Sequence, residues 1–189
     1  MKSAGLALAL AAGLAGAITV ALLAPRPAYN VTGDASDARP LWVETKWPFP
    51  MDQWGTGRAF ACKAAECGGE VKLYLRAKLG SCNCTTGVAD DADLDRMSDF
   101  DLVGGEVSPL GAGRPITIAW MKGRSRAYAL AARDRTGKSA ISIVFNDRCD
   151  MIVATAVLPH DRPATIEHGV MAFLNSKPVV HWAELALGI

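Results

Sequence analysis

Four of the chain's five cysteines, Cys62, Cys67, Cys82 and Cys84, fall in one short stretch, and the fifth, Cys149, stands far downstream. Sulfur at that density supports three chemistries: disulfide cross-links, a thiolate metal site, or thiol redox exchange. Thiolates suit Zn(II) and Cu(I), and a metal site would draw on Cys62, Cys67, Cys82 and Cys84. The spacing, Cys-x4-Cys followed by Cys-x-Cys, lacks the paired Cys-x2-Cys knuckles of structural zinc sites. Redox exchange favours an acidic thiol, usually in Cys-x-x-Cys at the start of a helix. Cys82-Asn83-Cys84 is not that motif.

Geometry chooses among the pairings. Between Cys67 and Cys82, apolar residues at the odd positions from Val71 to Leu79 alternate with Lys72, Arg76 and Lys78 at even ones. A period of two predicts a strand with one packed and one wet face. Arg58 to Cys62 is its expected hairpin partner, with the reversal at Gly68-Gly69. At about 3.3 Å per residue the long strand spans roughly 30 Å, so cysteines at its two ends cannot share one site. Disulfides need alpha carbons within about 4.4–6.8 Å. Cys62 is therefore expected to pair with Cys67, and Cys149 with Cys84 or Cys82; we assign Cys84. Side chains two apart on an extended backbone point the same way about 6.6 Å apart, too far to bond each other, which leaves Cys82 as a free thiol.

Other residues with chemical potential are less concentrated. His160, His168 and His181 all lie in the last 30 residues, with no nucleophile placed beside them by the sequence. Gly-x-Ser-x-Gly, His-Glu-x-x-His and a phosphate-cradling glycine loop are absent. The reading leans away from an enzyme. Asp91, Asp93 and Asp95 invite a calcium loop, but its sixth position is Arg96 rather than Gly and its twelfth Leu102 rather than Glu. Acids crowding the first turn of a short helix account for them better. Trp42, Trp47 and Trp54 stand among prolines before Gly55-x-Gly57, either as an aromatic platform for a sugar or peptide or, as we prefer, as a lid on the core. Lys122, Arg124, Arg126, Arg133, Arg135 and Lys138 face Asp134 alone in their segment. They suit anionic lipid headgroups or, preferably, the wet face of an edge hairpin.

The elements that must position these residues follow from the rest of the chain. Ala4 to Ala24 is an uninterrupted run of Ala, Leu, Gly, Val, Ile and Thr behind Lys2. As a helix it is about 31 Å long, enough to cross a membrane. Its length exceeds the usual h-region of about 7–15 residues, and its end offers poor cleavage sites, which favours an uncleaved signal anchor over a cleaved signal peptide. Residues 25–40, rich in Pro, Ala, Asp and Gly, read as a linker, and residues 41–189 as a single domain.

That domain is expected to be α+β: a mainly antiparallel sheet, a short acidic helix over Asp90 to Asp101, and one longer C-terminal helix over Pro163 to Asn175. Pro115 to Met121, Arg124 to Ala131, Ser139 to Asn146 and Asp150 to Leu158 are the later strands, with breaks at Lys122-Gly123, Thr136-Gly137 and Asn146-Asp147-Arg148. The tail from Val179 to Leu187 leans towards a strand. Without Lys2 the chain has 19 basic against 19 acidic residues, and a neutral body argues against nucleic-acid binding.

Together these features predict an exported protein, held in the cytoplasmic membrane by a single pass with its domain on the periplasmic or extracellular side, acting without catalysis as a binding or structural module for an unidentified protein or envelope ligand. Secretion after signal cleavage is the alternative location. A Zn- or Cu-binding or thiol-redox protein built on Cys62 to Cys84 is the alternative function; otherwise no cofactor is expected.

Overall fold

A computed structural model describes residues 41–104, 106–131, 137–159 and 163–189. The apolar run before Pro25, the linker, Arg133, Arg135 and His160 lie outside the described residues. Among those described, no helix is long and apolar enough to cross a membrane.

The strands are β1 (Trp42–Thr45), β2 (Arg58–Cys62), β3 (Val71–Lys78), β4 (Glu106–Pro109), β5 (Arg114–Ile118), β6 (Met121–Ala131), β7 (Lys138–Asp147) and β8 (Asp150–Leu158). They form one sheet in the order β1-β2-β3-β8-β7-β6-β4, with β5 beside β6 and every neighbour antiparallel. The fold is broadly α+β. β8 and β7 are buried over nearly their whole length, as a near-continuous run of Ile, Val and Ala requires.

One face of the sheet packs against two helices, α4 (Pro163–Leu174) and α5 (Lys177–Leu187). Leu73, Leu75, Ile143, Phe145, Ile152 and Ala154 meet Val170, Leu174, Val179, Ala183 and Leu187 there. Each large side chain so buried contributes about 1.5–3 kcal/mol. The expectation of a strand after Val179 is corrected: Pro178 opens α5 rather than merely ending α4, and Val179, Ala183 and Leu187 recur at helical spacing on the buried side. The β-branched pair Val179-Val180 masked that period.

The opposite face is covered as well, by α2 (Asp91–Met97), by the single turn α3 (Phe100–Val103) and by the loops before them. Cys82, Val88, Leu94 and Met97 pack on Val144, Met151 and Val153. The expectation of a wet face on β3 holds at Lys72, which is exposed, and is corrected at Arg76 and Lys78, which are only 2% and 8% exposed.

Two turns differ from expectation. The β5–β6 hairpin reverses at Ala119-Trp120, where Ala119 has φ 51°, and not at Lys122-Gly123. Gly123 instead lies inside β6, where a Cβ would stand 2.0 Å from the Val144 carbonyl oxygen, so close approach of backbones explains the glycine. The β7–β8 hairpin is tighter than three residues: Asp147 pairs with Asp150, leaving Arg148 at φ 51° and Cys149 as its turn.

Candidate functional site

β3 runs antiparallel to both β2 and β8, and this register separates the sulfurs. Cys62 pairs across from Val71 at one end of β3, while Lys78 at the other end pairs with Met151, close to the turn that holds Cys149. The segment from Lys63 to Gly69 curls into the one-turn helix α1 (Ala64–Cys67), closed by Gly68 at φ 67°. It returns Cys67 to Cys62, and the two form a disulfide with alpha carbons 6.1 Å apart. A second disulfide joins Cys84 to Cys149, alpha carbons 4.1 Å apart. Cys82 is free and buried. The set Cys62, Cys67, Cys82 and Cys84 is thus not brought together, because a straight β3 lies between its halves. Among the described residues no three of His, Cys, Asp and Glu converge as metal ligands.

Around Cys84 the chain makes a compact turn. Asn83 accepts the backbone N–H groups of Thr85 and Thr86 through its side chain, at 2.9 and 3.0 Å, and that of Gly87 through its carbonyl, at 2.8 Å. Cys84 is exposed on this turn and Cys149 half-exposed opposite. Cys82, two residues back, points inward. Its thiol donates to the Arg148 carbonyl at 3.2 Å. Burial, reinforced by the Asp150 and Asp93 carboxylates, pushes its pKa up, so the neutral thiol is the resting form.

The charged residues form a second constellation. Arg76 reaches Asp99 with Nε at 3.0 Å and Nη2 at 2.5 Å, and Lys78 Nζ lies 2.8 Å from the same carboxylate and 2.8 Å from the Met97 carbonyl. Asp52 takes the remaining Arg76 nitrogen from the surface side. Asp52 is itself held below the usual carboxylate range, first by the Trp54 backbone N–H and then by Arg76. Trp54 covers Lys78, with Nζ 5.7 Å from the ring centre.

Next to this cluster the acidic helix meets the basic strand. Arg124 pairs with Asp91 at 2.5 Å and Arg126 with Asp95 at 3.0 Å, while Tyr128 donates its hydroxyl to Asp95. Asp93 accepts from Arg96 at 2.6 Å and from the Ala89 N–H at 3.2 Å. Asp93 turns away to Arg96, while Asp91 and Asp95 share Arg126 at 3.9 and 3.0 Å. The Gly113 N–H and Arg124 lower the Asp91 pKa; burial and Asp95 raise that of Tyr128. The edge-hairpin reading of the basic segment is corrected, since β6 is paired by β7 on one side and by β5 and β4 on the other. Arg124 and Arg126 pair with the carboxylates of α2. Lys122 and Lys138 are exposed, whereas Arg133 and Arg135 lie outside the described residues.

The tryptophans do not form one platform. Trp42 stacks on Phe173 of α4, ring centres 5.0 Å apart. Trp47 crosses to the other face and lies over Gly57, where a Cβ would come within 2.7 Å of its ring. It meets Phe49 and Tyr74 edge-on at 5.2 and 6.1 Å. Lys46, Trp47, Pro48, Phe49 and Pro50 line an open cleft of about 450 Å³. Because Trp47 Nε1 is buried, the cleft offers ring faces and proline rings, with no indole donor.

Sequence reasoning missed Asp52, Arg76, Lys78 and Asp99 as a group, and also the Arg114–Glu167–Ser125 contact that ties α4 to β5 and β6. The available signal for the first was the six acids between Asp90 and Asp101, whose excess matched the cations on β3 and β6. No protein-family model matches the chain, and no curated protein is similar to it in sequence.

Proposed function

We propose that this chain is an exported, non-enzymatic binding or structural module, held at the cytoplasmic membrane by its N-terminal apolar segment with the disulfide-bonded α+β part on the outer side. The observation that carries the reading is the engagement of four cysteines in two disulfides, which persist in oxidising compartments. The apolar run behind Lys2 is long enough for a span. Further support comes from the groups that would otherwise be suspected of catalysis. Arg76, Lys78, Arg124 and Arg126 are committed to carboxylates that hold α2 and its flanking loops on the sheet. Binding falls to the surface, where the cleft along Lys46 to Pro50 is a concave apolar feature suited to it.

The test is fractionation of the full-length chain with a disulfide readout. Membranes washed in carbonate should retain the protein, protease added outside the cytoplasmic membrane should digest it, and a maleimide should label one cysteine in denatured, unreduced protein and five after reduction. Recovery from the cytosol with five reactive thiols overturns the proposal. A mature N-terminus at Ile18 or later removes the anchor and leaves the secreted alternative.

A further inference from the structure

Three of the five cysteines end at one place in the fold. Cys84 and Cys149 are bonded across it. Cys82 reaches the same turn twice: its backbone N–H donates to the Cys149 carbonyl at 3.1 Å and its thiol to the Arg148 carbonyl at 3.2 Å. The free sulfur thus rests against the peptide unit that leads into Cys149. Cys82 and Cys84 flank Asn83 alone, so either can be brought to the same partner by a local rearrangement of the turn from Asn83 to Gly87. That partner sits in a turn under backbone strain. Arg148 holds φ 51° without being glycine, and its carbonyl is pinned by the Cys82 thiol and by Asn146 Nδ2 at 3.0 Å.

We infer that Cys82, Cys84 and Cys149 form a thiol–disulfide exchange site in which Cys82 and Cys84 are alternative partners of Cys149, and in which exchange exposes Cys84 as the reactive thiol. The Cys82 thiol gives its proton to water, and the thiolate attacks the Cys149 sulfur. A Cys82–Cys149 bond forms as the Cys84–Cys149 bond breaks, and Cys84 departs as a thiolate. One thiol and one disulfide stand on each side of the step, so neither oxidant nor reductant is consumed.

The two isomers differ in what they present. With Cys84–Cys149 closed, the spare thiol is buried among Val88, Leu94, Met97 and Val153. With Cys82–Cys149 closed, it is on the exposed turn. The partner that form can capture covalently is a molecule carrying a disulfide: the Cys84 thiolate attacks one of its sulfurs, forms a mixed disulfide and releases the other half as a thiolate. Asp150 at the start of β8 and Asp93 on α2 are the charged groups acting on Cys82, and both oppose its ionisation. The exchange is therefore slow near neutrality and quickens about tenfold per pH unit below the thiol pKa.

The experiment follows the position of the free thiol in oxidised full-length protein. Samples held at pH 7 and at pH 9 without reductant are acid-quenched, labelled with N-ethylmaleimide in denaturant and fragmented by mass spectrometry between residues 82 and 84. Label on Cys82 at pH 7, with a growing share on Cys84 at pH 9, is expected. Label confined to Cys82 at both pH values overturns the inference. So does equal Cys84 labelling in Cys82→Ser, since that variant has no internal attacker. A second arm avoids the rate: exported Cys84→Ser, checked for native circular dichroism, should contain a Cys82–Cys149 disulfide. Two free thiols in that folded variant overturn the site. If Cys84→Ser does not fold, the pH arm on the unaltered chain decides alone.

Discussion

Replacing Asp99 by Asn tests whether the polar layer beneath α2 and α3 is a true interior. Asp99 is 3% exposed and carries both buried cations of β3, with two contacts from Arg76 and one from Lys78. The amide has nearly the same volume but no charge, so Arg76 and Lys78 would be left with Asp52, which is partly in solvent. Removing one partner from a buried ion cluster costs about 3–5 kcal/mol, against a total of about 5–15. At a urea slope of about 2 kcal/mol/M the midpoint should fall by about 1.5–2.5 M. Tryptophan fluorescence is the natural signal, because Trp54 lies over Lys78. The loss should persist in 1 M NaCl, where the Debye length is about 3 Å and exposed pairs are screened. Replacing the whole cluster with Arg76→Met, Lys78→Met and Asp99→Leu should recover most of it, since the charges are then removed together. A loss below about 1 kcal/mol, or one that vanishes in salt, would mean that water reaches these groups and that α2 and α3 do not seal the face.

Charge reversal of Arg124 and Arg126 to Glu should destabilise more at low salt than at high salt, as their partners Asp91 and Asp95 are on the wetter side of α2; equal effects would dissociate α2 from β6. Cys149→Ser should cost about 4 kcal/mol and Cys67→Ser about 2 in the chain-entropy account, so calorimetry should rank the first well below the second. Gly123→Ala should cost at least about 2 kcal/mol or leave the protein insoluble, because its new carbon meets backbone at 2.0 Å; a fully stable variant would require another β6–β7 register. The pH limits differ in sign. Asp91, and Glu44 through its hydrogen-bonded ion pair with Arg58, have lowered pKa values, so their stability is present above the ordinary carboxylate range and is lost as pH falls through the folded values. Tyr128 has a raised pKa, so its contribution is complete below about 10 and is lost as pH rises through the folded value. Melting temperatures from pH 9 to 11.5 should fall less steeply in Tyr128→Phe than in the unaltered chain.

The parts of the fold that were legible share one property: their signal is local. Alternation from Val71 to Leu79 predicts β3, the run from Ile141 to Ala154 predicts the sheet's central hairpin, and Asp90 caps α2 by accepting the Asp93 N–H at 2.9 Å, as acids before a helix should. Length along β3 also separates Cys62 from Cys82, which is enough to limit the disulfide choices. What local pattern cannot report is the identity of a strand's second neighbour layer. Polar residues at every other position look the same whether water or a helix covers them, because the alternation records only which face is less apolar.

That ambiguity explains both errors about charge, since Arg76 on β3 and Arg124 on β6 are followed or preceded by acids distant in sequence. Asp99 lies 23 residues from Arg76, and Asp91 lies 33 from Arg124. The acids that look like a calcium loop and two of the six bases of the basic patch, Arg124 and Arg126, are two halves of one interface, and neither half shows its partner in the local sequence. Aromatic residues obey the same logic. Trp42, Trp47 and Trp54 sit close together in the chain, yet β1 sends the first to α4 and the strap after it carries the others to the opposite face. Proximity in sequence predicts a shared platform only when the backbone between the residues stays on one side of the sheet, and here it crosses an edge.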